Sequence, residues 1–367
     1  MASERPSTFE GARPDALLTL DFGDRGRTVA GARAFHATHP LTAALGVDDD
    51  TAVLAAAIND ALGRPTHPPA AAECARDKHV QRLACAAAGV PVPGFVLHAF
   101  DAPPVVVRYP CVVKPLRLAA SRGVIRADDA ASLATALERV RHILGGAGAH
   151  ALIEDFVPGI EVALEGLLSG GRLRVLALFD KPDPLDGPFF EESIYVTPSR
   201  LAPAVQDAVA RVAQQAVTAI GLREGVVHAE LRVNDSGPWL IEVAARPIGG
   251  RCSAALRFAD GVGLEEVVCR HALGMPMASL EREASASGVM MIPVPGAGIL
   301  REVRGVTAAR AVPHVEGVDI TAHPGERLVP WPEGSRYPGF IFARGETPAG
   351  VESALRAAHA SLTFMLE

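Results

Sequence analysis

Glu230 and Glu242 lie in the stretch GVVHAELRVNDSGPWLIEVAARPIGGR, residues 225–251. Val227, Ala229, Leu231 and Val233 alternate with His228, Glu230 and Arg232. Turn formers Asn234 to Pro238 follow. Trp239, Ile241 and Val243 then alternate with Leu240, Glu242 and Ala244, which reads as a β-hairpin. A turn centred on Ser236 sets Glu230 opposite Glu242 on one face. Like charges opposed across a sheet are destabilising, so the pair implies a cation between them. Mg²⁺ takes one or two protein carboxylates together with phosphate oxygens. Arg246, four residues further on, can fork onto phosphate or carboxylate. Gly249 and Gly250 let backbone N–H groups approach an anion, and a helix is expected to begin near Ser253. These residues together read as a metal–triphosphate site. The bland alternative turns one Glu to solvent or pairs it with Arg232.

With 367 residues the chain has room for two or three subdomains. Hydrophobic residues make up 49% and charged residues 21%, which describes a globular chain. The net charge of −7 comes without a basic face, which argues against nucleic acid or an anionic membrane as partner. No apolar run is long enough to span a bilayer, and MASERPSTFEGARPD, with Glu4 and Glu10, lacks the apolar centre of a secretory signal. Cys74, Cys85, Cys111, Cys252 and Cys269 form no C-x-x-C pair. They fit reduced thiols of a cytoplasmic protein, not a disulfide or zinc framework.

Several elements must position the acidic pair. Residues 17–22 and 27–32 are expected as short strands and 48–63 as an Asp-capped helix, within a small α/β domain over 1–70. Residues 71–90 read as one helix, with Val80 and Leu83 on one side and Lys78 on another; a lone helical Lys is ordinarily a solvated face. The β-branched run 105–114 reads as a strand ending at Lys114. After it, the loop 116–124 with Ser121, Arg122 and Gly123 suits either a phosphate flap or an ordinary turn. A helix follows over 127–144, then three strands over 151–182 broken at Pro158-Gly159. Glu161 in that apolar run suits a ribose hydroxyl pair or an outward strand face. Further helices are expected over 203–221, 261–274 and 348–365, with strands over 289–294 and 339–345. Trp331 lies in a Pro/Gly-rich loop and suits a pocket wall or simple packing.

In this order the pieces resemble the ATP-grasp superfamily, and within it the carboxylate–amine ligases that include L-amino acid ligases and carnosine synthase. The resemblance covers about residues 45–275 well. It implies an α/β (α+β) ATP-grasp fold with a shortened N-terminal α/β domain (1–70), an ATP-grasp region (71–275) with a lid at about 105–155, and a C-terminal subdomain (276–367). It implies ATP and Mg²⁺, or Mn²⁺ in its place, and a homodimer. It assigns Lys78 and Lys114 to the nucleotide, Ser121, Arg122 and Gly123 to the phosphate flap, and Glu154, Asp155, Phe156 and Val157 to the adenine hinge. Glu161 goes to the ribose and Glu230 and Glu242 to the metal. Lys114, near the α- and β-phosphates, and Arg246, at the transferring phosphoryl group or the intermediate, take catalytic roles, and Gly249 and Gly250 face the acid substrate. Glu192 is a candidate for the substrate amino group. Many members carry Asn where this chain has Ala244, which removes one neutral metal ligand.

The activity implied is amide formation from an acid and an amine through an acylphosphate, releasing ADP and phosphate, with an amino acid as one substrate. His228 is a candidate base for the amine. Two alternatives remain open: a bicarbonate-activating carboxylase and a degenerate ATP-binding regulator.

Overall fold

The computed structural model describes residues 1–4, 17–103, 105, 107–146, 148–277 and 279–367. Alternating apolar runs build an eight-stranded sheet in which every neighbouring pair is antiparallel. Its order is Gly237–Ala244, Gly225–Asn234, Ile160–Ser169, Arg172–Lys181, Ile194–Thr197, Ala286–Met291, Gly339–Gly345 and Val315–Ile320. One face is covered by the helix Pro203–Ile220. Its Val209, Val212, Ala216, Val217 and Ile220 meet Val162, Leu164, Val227, Ala229 and Leu231 of the sheet. Burial of each large side chain there is worth about 1.5–3 kcal/mol. The helix thereby leaves Glu161, Lys181, His228, Glu230 and Arg232 to the other face.

A second sheet of four antiparallel strands runs in the order Phe95–Ala99, His150–Asp155, Cys111–Pro115, Ile125–Ala127. The helix Ala130–Leu144 packs on it through Leu133, Ala136 and Val140. Asp129 caps that helix by accepting from Ser132 N at 2.8 Å. A three-stranded sheet, Arg327–Leu328, Gly298–Arg304 and Thr363–Leu366, lies near the C-terminus.

Several expected elements differ. Residues 27–32 lie in the helix Arg25–Thr38, because Asp24 accepts from Arg27 N and nucleates a turn; of 17–22 only Leu18–Thr19 is strand. The expected single helix over 71–90 is two, Pro69–Arg76 and Lys78–Ala87. They break at Asp77, whose carboxylate accepts from His79 N and Val80 N. The sides of the second are also reversed. Val80 and Leu83 are 44% and 51% exposed, whereas Lys78, Gln81, Arg82 and Cys85 are buried. The strand expected over 105–114 forms only at Cys111–Pro115, and Val106 lies outside the described residues, as do residues 5–16 of the N-terminal stretch. The chain near Ser253 makes only a 3₁₀ turn, Cys252–Ala255. The last helix ends at Ala360 and gives way to the strand Thr363–Leu366.

The hairpin holds the most consequential difference. Asn234 pairs with Gly237, so its turn is the two residues Asp235-Ser236. Continued unbroken, that register would set Glu230 against Ile241 and send Glu242 to the helix side. A bulge between Leu231 and Glu230 on the paired strands shifts the register by one, and Glu230 meets Glu242 after all. Leu240 therefore joins Val243 in the core and does not share the face of Glu242. The carbonyl of the extra residue, Ile241, accepts from the Arg82 guanidinium.

Candidate active site

A cleft of about 290 Å³ opens between the two larger sheets, with Lys114 and Glu154 on one wall and Glu161, Glu230, Glu242 and Arg246 on the other. Glu230 and Glu242 are directly paired across the hairpin. Each is held by a lysine through Oε1: Lys181 Nζ donates to Glu230 at 2.9 Å and Lys78 Nζ to Glu242 at 3.0 Å. Lys78 also donates to Leu118 O at 2.8 Å and so ties the acidic pair to the 116–124 loop. Among the described residues, the hydrogen bonds to both side chains fall on Oε1. The two Oε2 atoms are hard oxygen donors of the kind Mg²⁺ takes. Arg246 sits on the same wall, its Nε donating to Asp49 Oδ1 at 2.9 Å. Burial lowers its pKa, but Asp49, Glu242 and Glu230 outweigh that and raise it.

On the opposite wall Glu154 is 2% exposed and bridges Arg82 Nε at 2.5 Å and Lys114 Nζ at 2.6 Å. Burial pushes its pKa up; the two cations overcome that and hold it at about 2. Its side chain is thus committed to the lysine expected on the phosphates. In the hinge that follows, Asp155 N donates to Gly94 O at 2.8 Å, Phe156 N to Pro110 O at 3.0 Å, and Val157 O accepts from Arg232 at 2.8 Å. Phe156 C=O and Val157 N–H keep no backbone or side-chain partner among the described residues, and both residues line the cleft.

The 116–124 loop is divided. Ser121 lines the cleft and, with Ala120, takes left-handed backbone at φ 53° and 54°. Arg122 and Gly123 turn away: Arg122 Nε donates to Glu333 O at 3.1 Å and Gly123 N to Pro332 O at 2.9 Å. Trp331 Nε1 completes this contact by donating to Ala120 O at 2.8 Å. Trp331 thus does more than pack; it pins the flap to the C-terminal loop.

Glu161, expected at a ribose, faces Lys181 across the strands and accepts from its Nζ at 2.7 Å. Glu192 accepts from the same Nζ at 2.5 Å and from Tyr195 OH at 2.7 Å. Burial raises the Glu192 pKa to about 7, with Lys181 opposing and Glu230 adding to the rise. His228 lies between Glu230 and Glu165, its Nε2 3.5 Å from Glu230 Oε1 and its Nδ1 3.4 Å from Glu165 Oε2. Burial lowers its pKa, but the two carboxylates prevail and raise it to about 9. Gly249 has open space where a Cβ would stand, whereas at Gly250, φ 60°, a Cβ would collide with Met291 Sδ.

Sequence reasoning missed Lys181, Arg82, Glu165 and Asp49. Lys181-Pro182 ends an apolar strand just as Lys114-Pro115 does, and that parallel could have found it. Asp49 reads as one helix-capping acid among three and offers no such signal.

Residues 107–255 match an ATP-grasp domain model and residues 290–367 match the L-amino acid ligase C-terminal domain 2. The fold is thus the ATP-grasp fold, with the ATP-grasp domain at residues 107–255. The crystal structure of an L-amino acid ligase from Bacillus licheniformis superposes with a TM-score of 0.81 at 27% identity, covering 96% of this chain and 87% of that one. Carnosine synthase 1 of Mus musculus is 30% identical over 226 residues, 55% of this chain and 27% of that protein. D-alanine–D-alanine ligase of Caulobacter vibrioides is 32% identical over 206 residues, 53% of this chain and 62% of that one. The chain thus spans between 27% and 62% of the length of these two curated relatives.

Proposed function

We propose that this ATP-grasp chain is an ATP-dependent ligase joining a carboxylic acid to an amine, with an amino acid as one substrate. The observation that carries the reading is the convergence of Glu230, Glu242, Lys78 and Arg246 on the wall facing Lys114. Support also comes from the names of the relatives, which are a carnosine synthase, a D-alanine–D-alanine ligase and an L-amino acid ligase. The match of 290–367 to a ligase C-terminal domain favours ligation over bicarbonate activation.

The substrate carboxylate attacks the γ-phosphorus of ATP and the bond to the β-phosphate oxygen breaks, giving acylphosphate and ADP. The amine then attacks the carbonyl carbon, the bond between that carbon and the phosphate oxygen breaks, and the proton the amine loses ends on the departing phosphate. Mg²⁺ held by Glu230 and Glu242 would neutralise charge on the phosphates. Phe156 C=O and Val157 N–H would take the adenine edge. Lys114, fixed by Glu154, would face the phosphates, and Arg246, fixed by Asp49, the transferring group. The flap, held by Trp331, would keep water from the acylphosphate. Gly249, with open space where a Cβ would stand, leaves room for the acid.

The test is phosphate release from Mg-ATP with amino acids supplied singly and in pairs. Release that requires both an acid and an amine is expected. Release with bicarbonate alone would replace this reading by the carboxylase.

A further inference from the structure

Three carboxylates, Glu161, Glu192 and Glu230, present oxygens within 4.8 Å of one another, a spacing that could hold a metal ion. They do not face an empty space. The Lys181 ammonium has three N–H donors, and the three carboxylates accept at 2.7, 2.5 and 2.9 Å, so donors and acceptors match one to one. The ammonium is enclosed. Lys181 is 2% exposed along its side chain, its strand partner is Glu161, and the Tyr195 ring lies 4.9 Å from its Nζ. A further cation borders the cluster, Arg232 Nε at 3.6 Å from Glu161. A divalent ion added here would meet carboxylates already neutralised.

We infer that Lys181 is a built-in cation that occupies a latent second divalent site and leaves Glu230 only one oxygen for metal. Lys181 then sets how many metal ions the cleft holds. Glu230 Oε1 is taken by the lysine. Oε2 remains for the ion shared with Glu242, and Ala244, which lines the same cleft, offers no ligand. Lys181 is a positioning residue: it acts through Glu230. The inference concerns metal count alone and stands or falls separately from the amide-forming reaction.

The experiment counts Mn²⁺ bound per chain by electron paramagnetic resonance, with and without a non-hydrolysable ATP analogue. Lys181→Met is expected to bind one Mn²⁺ more than wild type in both conditions, and Mn²⁺ is expected to raise its Tm more than that of wild type. Lys181→Arg, which keeps the cation, is expected to match wild type. Removing a buried cation from three carboxylates endangers folding, so Lys181→Gln/Glu192→Gln serves as a second variant. It deletes one charge of each sign, leaves two carboxylates, and is expected to gain the same extra ion. Wild-type stoichiometry in a folded Lys181→Met or in the double variant overturns the inference, as does an extra ion in Lys181→Arg.

Discussion

A carboxylate as buried as Glu154 stays ionised only because Arg82 and Lys114 both reach it. Its folded pKa of about 2 lies below the ordinary 4.5. The stability it adds is therefore fully present above pH 4.5 and is lost as pH falls through about 2. Glu154→Gln is expected to cost about 3 kcal/mol at pH 7, since two buried cations lose their partner. The deficit should shrink markedly by pH 3. Urea unfolding of both proteins at the two pH values checks this, and a deficit that does not change with pH contradicts it. At the same scale, Glu242→Gln is expected to lower turnover by about 10²–10³ while the fold persists. A regulator that only binds ATP would show no turnover to lose.

Elements decide where those residues point. The loop 116–124 is fastened to 331–333 by Trp331 Nε1, Gly123 N and Arg122 Nε, and Arg139 grips Glu333 with two bonds of 2.9 Å. A net hydrogen bond is worth about 1 kcal/mol. Trp331→Phe is thus expected to speed amide exchange at Gly123 about fivefold, read by hydrogen-exchange mass spectrometry, with no change in the Pro203–Ile220 helix. Unaltered exchange in the flap would show that the tryptophan is not the fastening. The hairpin and the helix Lys78–Ala87 also show what periodicity can and cannot give. The pairing of Glu230 with Glu242 was legible, yet through a wrong turn centre that a bulge compensated. A bulge changes side-chain alternation without leaving a mark in composition. The helix turned its polar side inward because Lys78, Gln81 and Arg82 find partners there in Glu242, the Val243 carbonyl and Glu154. Hydrophobic periodicity assumes the opposite.

Over the whole molecule, the ATP-grasp fold could be read from the order of its motifs, since strand-ending Lys114, the flap, the hinge and the acidic hairpin each keep a place in the chain. What escaped were contacts between segments far apart: Asp49 on Arg246, Trp331 on the flap, and Lys181 among three glutamates. Each needs the tertiary fold to bring its members together. The cleft lies between two sheets, so a ligand that bridges them should stabilise both. Mg-ATP at a hundredfold excess over Kd is expected to add about 2.7 kcal/mol and to raise Tm, with Glu242→Gln losing most of the magnesium-dependent part. No rise for wild type would deny the cleft its nucleotide. Among the described residues no helix is long and apolar enough to cross a membrane.

If the γ-phosphate of ATP activates the acid, an oxygen of that acid must leave with the phosphate. The most direct test supplies the acid substrate with ¹⁸O in its carboxylate, together with Mg-ATP and the amine, and analyses the released phosphate by mass spectrometry. One ¹⁸O atom in each phosphate, with ADP as the other product, is expected. Label in AMP, or phosphate free of label while amide forms, would rule out an acylphosphate.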